Sequence, residues 1–162
     1  MSAPADLPSP SVPRAGEGKR GEDGHLGYLL RQAAGAFRHR VERALADIAV
    51  TPPQFAVLTM LAAYPGLSGA DLARLAVLTP QTVSVIVANL ARAGALERRR
   101  HAVHGRIMQL ELTAHGRALL AQARRRVHAV EAELTAGLSA AEERAVRRWL
   151  VGVALGGAAQ TA

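Results

Sequence analysis

The chain has 162 residues, 49% of them hydrophobic but only 3% aromatic, with a formal net charge of +7 and a pI near 11.3. That length suits one domain with a tail, and its core must be built from Leu, Ala and Val, because Tyr28, Phe37, Phe55, Tyr64 and Trp149 are the only aromatic residues. A core of that kind favours helices over a β-sandwich. The absence of cysteine excludes a disulfide framework, thiol redox sensing and Cys-ligated zinc. No apolar run reaches the roughly 18–20 residues of a membrane span, and the first residues do not read as a secretory signal, so a cytoplasmic protein with no membrane partner is expected. Residues 1–24 hold three basic and four acidic side chains, which leaves the rest of the chain one unit more positive than the whole. A compact basic body of this kind attracts polyanions, nucleic acid foremost.

Residues 1–24, rich in Pro, Ser, Gly and Ala without an apolar period, are expected to be a disordered tail. From His25 the pattern becomes Leu26, Leu30, Ala33, Phe37, Val41, Leu45 and Ile48, a helical stripe over about 25–48 whose wide apolar face needs a partner. Thr51, Pro52, Pro53 and Gln54 form a capping signature that opens a helix through about Ala63. This helix is expected to bury Phe55, Leu58, Leu61 and Ala62, and Tyr64, Pro65 and Gly66 end it. Ser68 and Asp71 form the next capping box, for a helix through about Val77. Thr79 and Pro80 then supply an N-cap and N1 proline for a helix running to Gly94. So short a link is what a DNA-reading helix pair requires.

Beyond Gly94, residues 95–99 suit one strand. In a second strand Met108, Leu110 and Leu112 alternate with Gln109 and Glu111, and His104 and Gly105 stand at the hairpin tip. Thr113 caps a long helix carrying Leu119, Leu120, Ala123, Val127, Val130 and Leu134. Ser139 and Glu142 open a last helix with Val146, Trp149, Leu150, Val153 and Leu155. The expected fold is therefore mainly α with a small β-wing: a winged helix-turn-helix core over about 51–113 within a domain spanning 25–155, and a flexible C-terminus over 156–162. The helices near 25–48 and 113–155 carry more apolar surface than so small a core absorbs, which points to an interface between two copies.

Double-stranded DNA is the partner this order of elements suits. Val83, Ile86, Val87 and Leu90 form the core stripe of the second helix in the pair, which leaves Thr79, Gln81, Thr82, Ser84 and Val85 on its outer side. There Gln can pair with adenine and a Val or Thr methyl can touch thymine. Backbone N–H groups at the helix starts, behind Ser68 and Thr79, suit phosphate. Arg106, beside the hairpin tip, suits a minor groove, while Arg98, Arg99 and Arg100 suit flanking phosphates. For each helix residue taken singly, a plain solvated role is the competing reading.

The stretches from Leu58 to Ser68, Leu78 to Ser84 and Leu90 to Arg99 resemble the multiple-antibiotic-resistance regulator (MarR) family of bacterial transcription factors. So does the run from Gly105 and Arg106 through Leu112, Thr113 and Gly116. The resemblance covers about residues 25–155. It implies a homodimeric, ligand-responsive repressor of a pseudo-palindromic operator, with the terminal helices interlocking two subunits. It also implies a small aromatic or phenolic effector in a crevice that Tyr28, Arg31, His39 and Tyr64 can border, with Phe37 and Phe55 more simply core. Where many members carry a proline and two acids before the wing arginine, this chain has Arg100, His101 and His104, and Val85 and Asn89 stand where charges are common. Those departures leave a second reading open, a winged-helix protein-interaction module without operator binding.

No enzyme and no cofactor are expected. The chain has no cysteine nucleophile, no Gly-rich phosphate loop and no His-Glu-x-x-His, and Ser68 reads as a cap rather than a nucleophile. His101, His104 and His115 lack an acidic or Cys partner at ligand spacing, so no metal is expected. Protonation of His101 and His104 below about pH 6.5 would instead make the wing more cationic.

Overall fold

The computed structural model describes residues 12–100 and 108–156, with Arg100 and Met108 described by their backbone alone. The chain divides after His39 into two compact units. In the first, residues 12–24 depart from the featureless tail expected, because Gly18–Arg20 form a 3-10 turn. Local hydrogen bonds account for it. The Arg20 guanidinium donates to the Pro13 carbonyl at 2.7 Å, and the Arg14 backbone N–H donates to the Glu17 carboxylate at 2.8 Å. Helix α1, Leu26–Leu45, begins in this unit and ends in the second, and Ala46–Ile48 continue as a 3-10 turn.

In the second unit α2 spans Pro52–Ala63, α3 Gly69–Leu75 and α4 Pro80–Arg92. Strands β1 (Leu96–Arg100) and β2 (Met108–Leu112) follow, then α5 (Ala114–Thr135) and α6 (Ala140–Ala154). Each expected capping residue caps: Thr51, Ser68, Thr79, Thr113 and Ser139 all accept a backbone N–H inside the first turn of their helix. The strands pair antiparallel with Leu96 opposite Leu112 and Arg100 opposite Met108. The core gathers Val57, Leu58, Leu61, Leu72, Val83, Ile86, Val87, Leu90, Leu96, Leu110 and Leu112 from α2, α3, α4 and both strands. Two burial expectations on α2 need correction: Ala62 is exposed and Phe55 only half-buried. Val57, one turn from Leu61, turns the buried face away from Ala62.

α5 is pinned where the wing begins. The Thr113 hydroxyl donates to the Gly94 carbonyl at 2.6 Å and accepts the Gly116 N–H at 3.0 Å, while the Thr113 N–H donates to the Ala95 carbonyl at 3.1 Å. Gly94 makes the corner with a φ of +72°, a conformation glycine adopts without steric cost. Gly116 lies so close that a Cβ there would overlap the Ala95 carbonyl oxygen. Gly116→Ala is therefore expected to destabilise the fold by about 1–3 kcal/mol, the usual cost of overpacking. Urea unfolding measures this, and an unchanged midpoint would contradict so close an approach.

Candidate nucleic-acid interface

Helices α3 and α4 meet at a bend of 113°, joined by four residues, Ala76 to Thr79, which is the geometry of a helix-turn-helix. The expected α3 ends two residues early. Val77 adopts a left-handed φ of 54°, its N–H reaching the Arg74 carbonyl at 3.4 Å, while the Leu78 N–H donates to the Ala73 carbonyl at 2.9 Å. For a β-branched residue this conformation is strained.

α4 buries Val83, Ile86, Val87 and Leu90 and exposes Gln81, Thr82, Ser84, Val85 and Asn89. The periodicity expected of a recognition helix is thus met face by face. The polar groups on the outer face are partly committed. Thr79 and Thr82 share a hydroxyl hydrogen bond at 2.9 Å, and the Ser84 hydroxyl donates to the Pro80 carbonyl at 2.9 Å, which leaves its lone pairs outward. Asn89 accepts from Arg92 at 2.9 Å. Val85 is 61% exposed, a methyl-bearing surface among these groups.

The wing strands bring Glu97 directly opposite Glu111, two like charges face to face. Arg99 bridges them, at 2.9 Å from Glu97 and 3.3 Å from Glu111, so its charge is already matched. Arg98 projects exposed from β1 and, with Gly69 of α3, Ser84 and Val87 of α4 and Leu110 of β2, lines a cleft of about 150 Å3. Helix pair and wing thereby share one surface. Arg106, His101 and His104 lie outside the described residues, as does the side chain of Arg100.

At the start of α3, Ser68 is half-buried, and its hydroxyl donates to the Asp71 carboxylate at 2.6 Å. That bond, then one from the Ser68 backbone N–H, then the Arg74 guanidinium, hold the Asp71 carboxyl below its ordinary 3.8. A depressed folded pKa contributes stability at every pH above the ordinary value, and that contribution is lost as the pH falls through the folded one.

Of the four residues expected to border an effector, Tyr28, Arg31 and His39 belong to the first unit and Tyr64 to the second. Tyr28 and Arg31 are neighbours on α1, the guanidinium 5.6 Å from the ring centroid, and they line a cleft in the first unit. His39 is exposed at the end of that unit and does not line the cleft. Tyr64, in the second unit, is the exposed C-cap of α2. Arg20, Gln32 and Arg38 line the same cleft as Tyr28 and were not singled out from sequence, since nothing in their spacing marks them. Among the described residues no single helix is long and apolar enough to cross a membrane.

A bent helix pair, a polar outer face on its second helix and a two-stranded hairpin bearing arginine define a winged helix-turn-helix protein. A profile of the MarR family matches residues 50–107. The chain is 40% identical over 129 residues to the HTH-type transcriptional repressor Rv2887 of Mycobacterium tuberculosis, covering 80% of this chain and 93% of the relative. It is similar to the crystal structure of that MarR family protein in complex with salicylic acid, with a TM-score of 0.66 and 39% identity over 82% of this chain and 98% of the other. It is also similar to the crystal structure of the same mycobacterial protein in complex with DNA, with a TM-score of 0.65 and 37% identity over 81% and 98% of the two chains. The chain belongs to the MarR family.

Two outcomes are expected. Val77→Gly relieves a left-handed strain of about 1–2 kcal/mol against a glycine entropy cost of about 0.5–1 kcal/mol. A small rise in thermal midpoint should follow, and a fall would contradict the strain. Asp71→Asn should be less stable than the parent near neutral pH, the gap closing as the pH drops below 3.8. Thermal melts across that range read it, and a gap that stays constant would disprove the charged cap.

Proposed function

We propose that the protein is a homodimeric transcriptional repressor, working in the bacterial cytoplasm by binding rather than by catalysis. It holds a pseudo-palindromic operator and releases it when a small aromatic or phenolic effector binds. The observation that carries this reading is the joint surface of α3, α4 and the wing: the outer face of α4 bears short polar groups and one exposed valine, and Arg98 stands beside Ser84. Gln81, Thr82, Ser84 and Val85 take the base edges of a major groove, and the starts of α3 and α4, capped by Ser68 and Thr79, meet backbone phosphates. Arg98 and Arg100 neutralise phosphates, Arg106 enters the minor groove, and Arg99 holds the strands together through Glu97 and Glu111.

Residues 51–113 form the DNA-binding core, and the helices over 25–48 and 113–155 join two copies. In support of the pairing, α6 has no buried residue, Val146, Trp149, Leu150 and Val153 are 43–45% exposed along it, and Leu155 at its C-cap is 69% exposed. So continuous an apolar face is what a helical dimer covers. DNA and salicylic acid are the partners named with the mycobacterial relative's structures, which supports an operator and a phenolic effector here. Release requires an effector that prefers the DNA-incompetent arrangement; coupling of about 1–3 kcal/mol lowers operator affinity roughly 5- to 150-fold.

The test is salt dependence. If Arg98 and Arg100 each neutralise one phosphate in each subunit, and Arg106 from within the minor groove offsets the charge of one more, about six counterions are released and the log–log slope of affinity against salt is near −5. Fluorescence anisotropy on the DNA upstream of the gene measures it. Arg98→Ala should bring the slope nearer −3.5, since two contacts are lost per dimer. A parent slope shallower than about −2 would overturn the proposed interface.

A further inference from the structure

On the outer face of α4, one side chain offers a hydrogen bond of a single sense. The Ser84 hydroxyl lies 2.9 Å from the Pro80 carbonyl oxygen. A carbonyl only accepts, so the one hydroxyl proton is committed inside the helix. Ser84 is exposed, and it turns outward an oxygen with lone pairs and no proton. Such an oxygen accepts from an amino group and has nothing to donate to a carbonyl or a ring nitrogen. The amino groups of a major groove are adenine N6 and cytosine N4. The neighbouring side chains separate these two. Val85 is 61% exposed, and Ala88, three residues on and therefore on the same side of the helix, is exposed too. Beside the Ser84 oxygen the surface is thus made of methyl groups. A cytosine·guanine pair would set guanine O6 and N7 against those methyls, and acceptors stripped of water without a donor are costly. An adenine·thymine pair sets the thymine methyl there instead.

We infer that Ser84 and Val85 make each recognition helix selective for adenine·thymine. The Ser84 oxygen accepts from the N6 amino group of an adenine, and the Val85 methyls cover the C5 methyl of a thymine in the same or the adjoining base pair. This names the class of operator read by the interface already proposed, and it rests on that reading.

The experiment places base analogues, one position at a time in both half-sites, in the duplex that the full-length protein binds upstream of the gene. Fluorescence anisotropy at one salt concentration reads the affinity. Deoxyuridine in place of thymidine removes only the C5 methyl, and purine deoxyriboside in place of deoxyadenosine removes only the N6 amino group. In the parent, uracil at one thymine should weaken binding about fourfold per half-site, as loss of one buried methyl does. Purine at one adenine should weaken it about fivefold per half-site, as loss of one hydrogen bond does. Val85→Ala should lose the uracil effect and keep the purine effect, and Ser84→Ala should do the reverse. Both side chains are exposed, so neither substitution opens the core, and thermal melting checks that each variant folds. A parent that binds the operator but responds to only one analogue, or to neither, would overturn the inference alone. So would either variant retaining in full the effect it should lose. No operator binding by the parent would overturn the proposed function and this inference together.

Discussion

Around the Ala95 carbonyl, three elements are fixed by one small set of contacts. The oxygen accepts the Thr113 N–H and lies against Gly116, while the Thr113 hydroxyl ties the Gly94 carbonyl to the first turn of α5. Ala95 itself is fully buried. The recognition helix therefore ends, the wing begins and the long helix starts within one hydrogen-bonded corner, and the direction in which the wing leaves α4 follows from it. Each of these contacts ties the end of α4 and the start of β1 to the first turn of α5, so the hairpin and the long helix share one frame.

Within the wing, charge does structural work before it meets any partner. Glu97 and Glu111 face each other across the strands and would repel, yet Arg99 spans both. That arrangement separates the arginines by role: one holds the hairpin, while Arg98 points out beside the recognition helix. Exposed salt bridges contribute little individually, so the network matters for orientation more than for stability.

The helix starts were legible because caps are local. A Thr or Ser followed three residues later by a hydrogen-bonding side chain satisfies its own backbone wherever it lies, as Thr51, Ser68 and Ser139 do. The faces of α4 were legible from its period for the same reason. What depends on non-local contacts was not. Val77 carries no turn signal, yet it takes the left-handed conformation that ends α3. The burial of Val57 in place of Ala62 depends on how α2 packs against the other core elements. Arg99's pairing with Glu111 needs the strand register, and the convergence of Arg20 with Arg31 and Arg38 needs the 3-10 turn at Gly18–Arg20. The resemblance to MarR proteins, carried by the stretches around the helix pair and wing, was visible in the residues before any geometry.

Hydroxyl-radical footprinting on the DNA upstream of the gene tests the central claim most directly, because it reads recognition helix, wing and pairing together. Two recognition helices and two wings on one face of a duplex should protect two symmetric patches whose centres lie about one helical turn, roughly 10 base pairs, apart, with further protection in the flanking minor grooves. A single unpaired patch, or uniform protection without boundaries, would contradict the account.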